Sequence, residues 1–352
     1  MCERVAIIGA GPAGCSAAFR CGQLGLPVVL FEAGGPYRDK PCGDALIASA
    51  VTFTRSFGFN DRDFLSLGGR PFEQIEVALQ GSPSDVLRLP HPGGWVIPRA
   101  ALDQALRDAV SSTCEVRYNA VVRSLLPTGF GISVAVSKSG RTNELFGAAI
   151  IATGAASRLS QILGIDGHPK RGLAFRGYVP TQDNRDGLLF ELAGGPSLQY
   201  RWVFPMGDKA NVGACRLGES TGRSNGAATA ALRGLAGCSQ EFELTGGVEP
   251  LWSGSASKWH HAGGVVSCGD CAGLVDPLTG EGITAAFLSG DMAACAVVDY
   301  LGRRDEVALE RFSLRIGEVF SERYRADRER HLVSLFRPSA REGLGWRGRA
   351  EE

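Results

Sequence analysis

The chain has 352 residues, 44% of them hydrophobic and 21% charged, with 37 lysines and arginines balanced by 37 aspartates and glutamates. That length suits two modest domains or one large interwoven body with a real core, and the balanced charge provides no global field for nucleic acid or acidic lipid. No run approaches the ~18 apolar residues of a membrane span, no signal peptide is evident, and the ten cysteines follow no disulfide spacing; the chain reads as cytoplasmic, with free thiols.

Residues 4–8 (Arg-Val-Ala-Ile-Ile) form a nearly continuous apolar run, as a strand buried on both faces should. Gly9-Ala10-Gly11-Pro12-Ala13-Gly14 follows at once, and the alanine-rich stretch from Cys15 to Gly25 reads as a helix that ends at a glycine. Val28 to Phe31 is a second apolar run, closed by Glu32 and Ala33. This strand–turn–helix–strand unit has the chemistry of a dinucleotide site. Gly9 permits the tight turn, Gly11 lets the backbone approach a pyrophosphate, and Gly14 allows close helix–strand packing. The helix N-terminus, beginning with Pro12 and Ala13, offers N–H groups and a positive dipole to phosphate. Glu32 stands where a carboxylate accepts hydrogen bonds from an adenosine ribose.

Pro36 to Asp44 is a loop rich in glycine, proline and charge, and 45–58 is expected to be helical. Residues 72–90 alternate as strands do. Arg99 to Val110 reads as a helix, apolar at 101, 102, 105, 106 and 109. Strands are expected at 115–124, 130–137 and 147–152, the last running into Ala152-Thr153-Gly154, a small-residue turn of the kind that returns a chain beside a dinucleotide. The segment 173–216 alternates again, with Gly194-Gly195 as a turn signal. Within it Tyr200, Trp202 and Phe204 alternate, so that two of the three share one face, where they wall a cavity or fill the core.

Val265 to Cys268 is a further buried strand, and it ends in Gly269-Asp270, placing a carboxylate where a ribityl hydroxyl could be held. Asp276-Pro277-Leu278-Thr279-Gly280-Glu281-Gly282 then leads through Ile283 into a helix over 281–302, and its proline and glycines let backbone amides approach a flavin ring. Arg311 to Phe336 adds one or two amphipathic helices. Cys268 and Cys271 have CxxC spacing but lack a second ligand pair. His91, His168, His260 and His261 lack metal-ligand spacing, so no metal is expected, and His260-His261 is expected on the surface or in a loop.

Together these pieces resemble the flavoprotein superfamily with the p-hydroxybenzoate hydroxylase fold, and within it the geranylgeranyl reductase family, from about residue 4 to residue 300. Asp39-Lys40-Pro41-Cys42-Gly43-Asp44 is similar to that family's loop over the flavin. Tyr200-Arg201-Trp202-Val203-Phe204-Pro205, followed by Asn211-Val212-Gly213, matches its aromatic YxWxFP signature. The Gly-Asp and Asp-Pro-Leu-Thr-Gly-Glu-Gly segments are the third element, and Ile97-Pro98-Arg99 resembles the position whose arginine packs on the cofactor's ADP portion.

The resemblance implies an α/β fold, with a Rossmann-type FAD-binding domain and an interleaved β-rich substrate domain. Residues 1–70, 95–165 and 255–305 are assigned to the first, 71–94 and 166–254 to the second, and 306–352 to a C-terminal helical segment. FAD is the implied cofactor, with Lys40, Cys42 and Gly43 at the flavin and Tyr200, Trp202 and Phe204 at the substrate. The implied activity is reduction of a carbon–carbon double bond in a prenyl chain or related apolar metabolite. The alternative is oxidative tailoring, as a dehydrogenase or monooxygenase, of a secondary metabolite or of a carrier-bound or peptide side chain.

Thr153 stands where hydroxylases and many reductases of the superfamily carry aspartate, which points away from direct reduction by NAD(P)H and towards an electron-donor protein or flavin reductase as partner. Peripheral membrane contact stays open. Cys42 and Trp202 are the catalytic candidates. Cys42, beside Lys40, is expected to have a lowered thiol pKa and to donate a proton, the alternative being a small packing thiol.

Overall fold

The computed structural model describes residues 3–335, apart from 80–83, 89–92, 138–140, 156–158, 166–169, 182–186, 194–197, 218–241 and 255–257. The expected turn at Gly194-Gly195, His91 and His168 therefore lie outside the described residues. The first apolar runs build a parallel sheet. Strands β1 (Val5–Ile8), β2 (Val28–Phe31), β8 (Glu115–Arg117), β12 (Ala148–Ile151) and β19 (Val265–Ser267) pair in parallel, and β18 (His260–His261) closes one edge in antiparallel fashion. Every residue of β1, β2 and β12 is buried, because both faces of the sheet are covered.

The period-2 alternation of those strands divides two cores. Val5, Ile7, Leu30 and Ile150 face a helical layer. Ala6, Ile8, Phe31 and Ile151 face an antiparallel meander of β9 (Val121–Thr128), β10 (Gly131–Ser137) and β11 (Arg141–Phe146). The helical layer is built on α1 (Pro12–Gln23), α4 (Arg99–Ser111) and α6 (Ile283–Arg303). Small residues let α1 and α6 approach closely: Ser16 donates to the Phe287 carbonyl at 2.7 Å, and a Cβ at Gly290 would strike the Ala13 carbonyl. Helix α6 is long and apolar enough to cross a membrane on hydropathy alone, but its apolar residues form core with α1 and the sheet. That apolarity is the signature of a helix buried all round.

A second sheet carries the substrate-side expectations. Its seven strands run in the order β17 (Thr245–Leu251), β13 (Lys170–Pro180), β16 (Lys209–Leu217), β15 (Leu198–Pro205), β14 (Gly187–Ala193), β5 (Gln74–Leu79) and β6 (Ser84–Arg88). Strands of the two sheets thus alternate along the chain. A three-stranded unit, β3 (Ala45–Ile47), β7 (Gly94–Val96) and β4 (Arg70–Phe72), lies between them in sequence.

Three local expectations are corrected. Residues 45–58 open with strand β3 before helix α2 (Ala48–Ser56), because Ala45 to Ile47 pair with β7. Strand β17 was not anticipated, since its two glycines and a proline hide the alternation that marks a strand. His260 is buried on an edge strand and meets Ser313 Oγ at 2.7 Å through Nδ1, so it is neither surface nor loop. Among the described residues the C-terminal segment is one helix, α7 (Val307–Leu335), within the one or two expected; Phe320 and Tyr324 pack against Trp252, which stacks on Trp259.

Candidate active site

The carboxyl ends of β1, β2 and β12 open on a cavity of about 1610 Å³ that continues under the seven-stranded sheet. This is the crevice in which α/β sheets take ligands. Gly9 has a φ of +105°, and a Cβ there would strike the Ala152 carbonyl, so the turn after β1 crosses directly beneath the turn after β12. Gly11, Pro12 and Ala13 line the cavity beside Ala152, Thr153 and Gly154. Helix α1 has Pro12 in its first turn, no capping side chain and no acid near its start. Its first-turn N–H groups therefore have no partner within the helix, which is what a pyrophosphate requires.

Glu32 is buried at the end of β2. Its Oε2 accepts the Ala10 N–H at 3.1 Å and its Oε1 the Gly34 N–H at 2.9 Å. Ala33 and Gly34 line the cavity beside it. Arg38 stands 3.8 Å from Glu32 and 3.9 Å from Asp103. Arg99, buried in the first turn of α4, forks onto Asp103 at 3.0 and 3.1 Å. A buried acid, an uncapped helix and two arginines at one end of the cavity fit an adenosine diphosphate moiety.

The other end collects residues from distant parts of the chain. Lys40 forms an ion pair with Asp270, and Cys42, Gly43, Gly280, Gly282 and Ile283 line the same wall. Asp276 Oδ1 accepts the N–H groups of Leu278 and Thr279 at 2.7 and 3.3 Å, which shapes the turn into α6. Glu281 accepts the Thr284 N–H at 2.6 Å and lies 3.8 Å from Arg323 of α7. Three expected cofactor residues do not line the cavity. Gly14 and Gly269 lie behind its wall, where added Cβ atoms would meet Gly9 and Ala13, and Pro277 sits in the turn without lining the cavity.

The seven-stranded sheet supplies an aromatic wall. Its register places all three of Tyr200, Trp202 and Phe204 on one face, rather than two, because they are spaced i, i+2, i+4. Phe190 packs against Tyr200 and Phe204, with ring centroids 5.8 and 5.0 Å apart. Trp202 donates its indole N–H to Asn211 Oδ1 at 2.9 Å, and Asn211 Nδ2 donates to the Cys42 carbonyl and to Asp44 Oδ2 at 2.7 and 2.9 Å. The aromatic wall and the Cys42 loop are therefore one hydrogen-bonded unit. Asp44 anchors it. Fully buried with a φ of 63°, it also accepts from Tyr178 Oη at 2.6 Å and from the Arg99 N–H at 3.2 Å.

The expectation of a lowered pKa for Cys42 is overturned. Burial pushes the thiol up, and Asp44 adds to this, outweighing the pull of Arg99. Lys40 is spent on Asp270. Sequence reasoning also missed Asp103, Arg107 and Glu249. Asp103 carried a signal, the i, i+4 spacing from Arg99. Arg107, fully buried, donates to the carbonyls of Ala10 and Pro36 at 3.3 and 2.6 Å, tying the phosphate turn to the loop. Glu249 on β17 lines the cavity and carried no signal at all.

Fold and site define an FAD-dependent oxidoreductase of the p-hydroxybenzoate hydroxylase-like architecture. Residues 3–185 match the family described as pyridine nucleotide-disulphide oxidoreductase. The chain is 31% identical over 323 residues to a menaquinone reductase of Mycolicibacterium smegmatis, covering 82% of this chain and 75% of the relative. It is 28% identical over 334 residues to the geranylgeranyl diphosphate reductase of Rhodobacter capsulatus, covering 89% and 81%. A solved structure of a geranylgeranyl bacteriochlorophyll reductase-like protein from Thermoplasma acidophilum superposes with a TM-score of 0.77 at 20% identity, covering 95% of this chain and 87% of that one. The chain belongs to the geranylgeranyl reductase family of FAD-dependent oxidoreductases.

Proposed function

We propose that this protein reduces a carbon–carbon double bond in a prenyl chain or a similarly apolar molecule. The carrying observation is the continuity of the cavity, which runs from an ADP-compatible groove to a wall of Tyr200, Trp202, Phe204, Phe190 and Leu188 without a barrier. Its volume of about 1610 Å³ exceeds the ~300–1,000 Å³ of an ordinary small-molecule site, leaving room for a second molecule beside a dinucleotide. One relative is named for a geranylgeranyl diphosphate substrate, which suits such a wall.

When bound, FAD supplies the hydride chemistry. The protein's part is to hold the adenosine end through Glu32 and the N-terminus of α1, and the ring end through the Lys40–Asp270 pair and the Gly280 turn. Trp202 and Phe204 would exclude water from the apolar partner, and Cys42 with Gly43 would help hold the ring end. The division into an FAD-binding part (1–70, 95–165, 255–305), a substrate part (71–94, 166–254) and a C-terminal helical segment (306–352) is part of this reading. So are a cytoplasmic location and reduction by a partner protein, which Thr153 favours.

The test is anaerobic photoreduction of the FAD-loaded protein, followed by mixing with a C20 prenyl alcohol or with oxygen. Reoxidation by the alkene with a saturated product is expected. A product formed only with oxygen would instead establish oxidative tailoring.

A further inference from the structure

The reductase reading leaves one requirement open: a hydride added to one alkene carbon must be matched by a proton on the other. Most titratable groups around the cavity are committed elsewhere. Glu32 holds two backbone N–H groups, Asp270 is paired with Lys40, and Asp276 holds two more amides. Glu281 caps α6 through the Thr284 N–H and faces Arg323. Tyr200 donates to the Thr279 carbonyl, and burial pushes its hydroxyl well up. The thiols of half-buried Cys42 and buried Cys215 are raised too, the latter to about 12.

Glu249 is placed differently. On β17 it stands opposite Gly172 of β13, and the register carries that face on through Ala174 and Cys215 to Tyr200. It is thus the carboxyl on the aromatic wall. On one side of it Gly172, Gly247 and Ala174 carry nothing larger than a methyl group and leave Glu249 on the cavity lining, while Leu251 closes the same face on the other side. Lys40 and Arg99 are the cations acting on it, and both are already neutralised, by Asp270 and Asp103. Tyr200 of β15 and Cys215 of β16 also feel it, and Arg171 of β13 lies exposed on the cavity lining. The two ion pairs sum to zero charge, so an ionised Glu249 is an unbalanced, half-buried charge and a protonated one is not. Burial, reinforced by Asp270, raises its carboxyl to about 7 against the pull of Lys40 and Arg99. A proton donor works best with its pKa near the operating pH.

We propose that Glu249 delivers the proton to the alkene. The assignment rests on the reductase reading above. The substrate π bond opens; one carbon takes a hydride, with two electrons, from the reduced flavin, and the other takes the proton of the Glu249 carboxylic acid. The substrate is reduced by two electrons and the flavin oxidised by two, and the carboxylate regains its proton from water. An electron donor restores the reduced flavin.

The test uses FAD-loaded wild type, Glu249→Gln, Glu249→Asp and Cys42→Ala. The first readout needs no turnover: infrared difference spectra from about pH 5 to about pH 9 follow the carbonyl stretch of protonated carboxyl groups. A band that titrates near neutrality in the wild type should vanish in Glu249→Gln. The second is single-turnover reoxidation by a C20 prenyl alcohol. The wild-type rate should fall as pH rises through neutrality. Glu249→Gln should lose about 10²–10⁴-fold and its pH profile, with alcohol affinity unchanged. Glu249→Asp should recover part of the rate, and Cys42→Ala, whatever its rate, should still slow as pH rises through neutrality. Wild-type rates in Glu249→Gln, an unchanged band in that variant, or transfer of the whole effect to Cys42→Ala would overturn the assignment alone. A wild type that no alkene reoxidises, with the band intact, overturns the reductase reading and this assignment with it.

Discussion

Glu32→Ala is expected to weaken FAD binding and to destabilise the free protein, by amounts that separate experimentally. The carboxylate is 4% exposed and clips the phosphate turn to the loop after β2, through Ala10 N–H at 3.1 Å and Gly34 N–H at 2.9 Å. Alanine leaves both amides without that acceptor. A hydrogen bond to a charged group contributes about 1.5–3 kcal/mol, so even partial rehydration of the amides leaves a loss of a few kcal/mol in the apo-protein. A ribose hydroxyl donating to the same carboxylate is worth a similar amount, which is roughly a ten- to hundredfold weaker Kd. Glu32→Gln keeps one acceptor oxygen and turns the other into a donor facing an N–H, so it should fall between wild type and alanine. Urea unfolding of the apo-protein and quenching of flavin fluorescence measure the two effects. Stability within about 0.5 kcal/mol of wild type together with an unchanged Kd would refute the reasoning. A loss of stability alone would restrict Glu32 to the clip.

Gly213→Ala should destabilise the protein and disturb Trp202, since a Cβ at Gly213 falls inside the Trp202 indole. Overpacking of this kind costs about 1–3 kcal/mol or more, and a wild-type Tm and near-ultraviolet circular dichroism would show that the wall is slack. The stability of the apo-protein should also depend on pH through Glu249. Its folded pKa of about 7 lies above the ordinary carboxyl value of 4.5, so its contribution is fully present below pH ~4.5 and is lost as pH rises through about 7, by at most about 3.4 kcal/mol. Urea midpoints across this range should flatten in Glu249→Gln relative to wild type; parallel curves would contradict the raised pKa.

The ADP-binding half was legible because its recognition is mostly backbone geometry. A tight turn, an uncapped helix and an acid at a strand end are all encoded within residues 4–33, and each residue type has one physical use there. The flavin-side segments were legible as segments, but not in their pairing. Lys40 was assigned to Cys42 because they are neighbours in the chain, whereas the fold gives Lys40 to Asp270, 230 positions away. That exchange, with burial, reverses the expected direction of the Cys42 pKa. Glu249 was invisible, because Gly246, Gly247 and Pro250 hide the strand that carries it.

What the sequence determined by itself, then, is whatever depends on contiguous residues: the dinucleotide unit, the helices that follow its turns, and the alternation of Tyr200, Trp202 and Phe204, though not that all three line the cavity. The tertiary structure decided whatever depends on charge and solvent. The Asp44–Asn211–Tyr178 network, the neutralised Lys40 and Arg99, and the raised carboxyl pKa of Glu249 arise where strands from opposite ends of the chain enclose the same water-poor space. A carboxyl's proton affinity is set by the charges and the burial around it, and neither exists until the seven-stranded sheet has closed over the cavity.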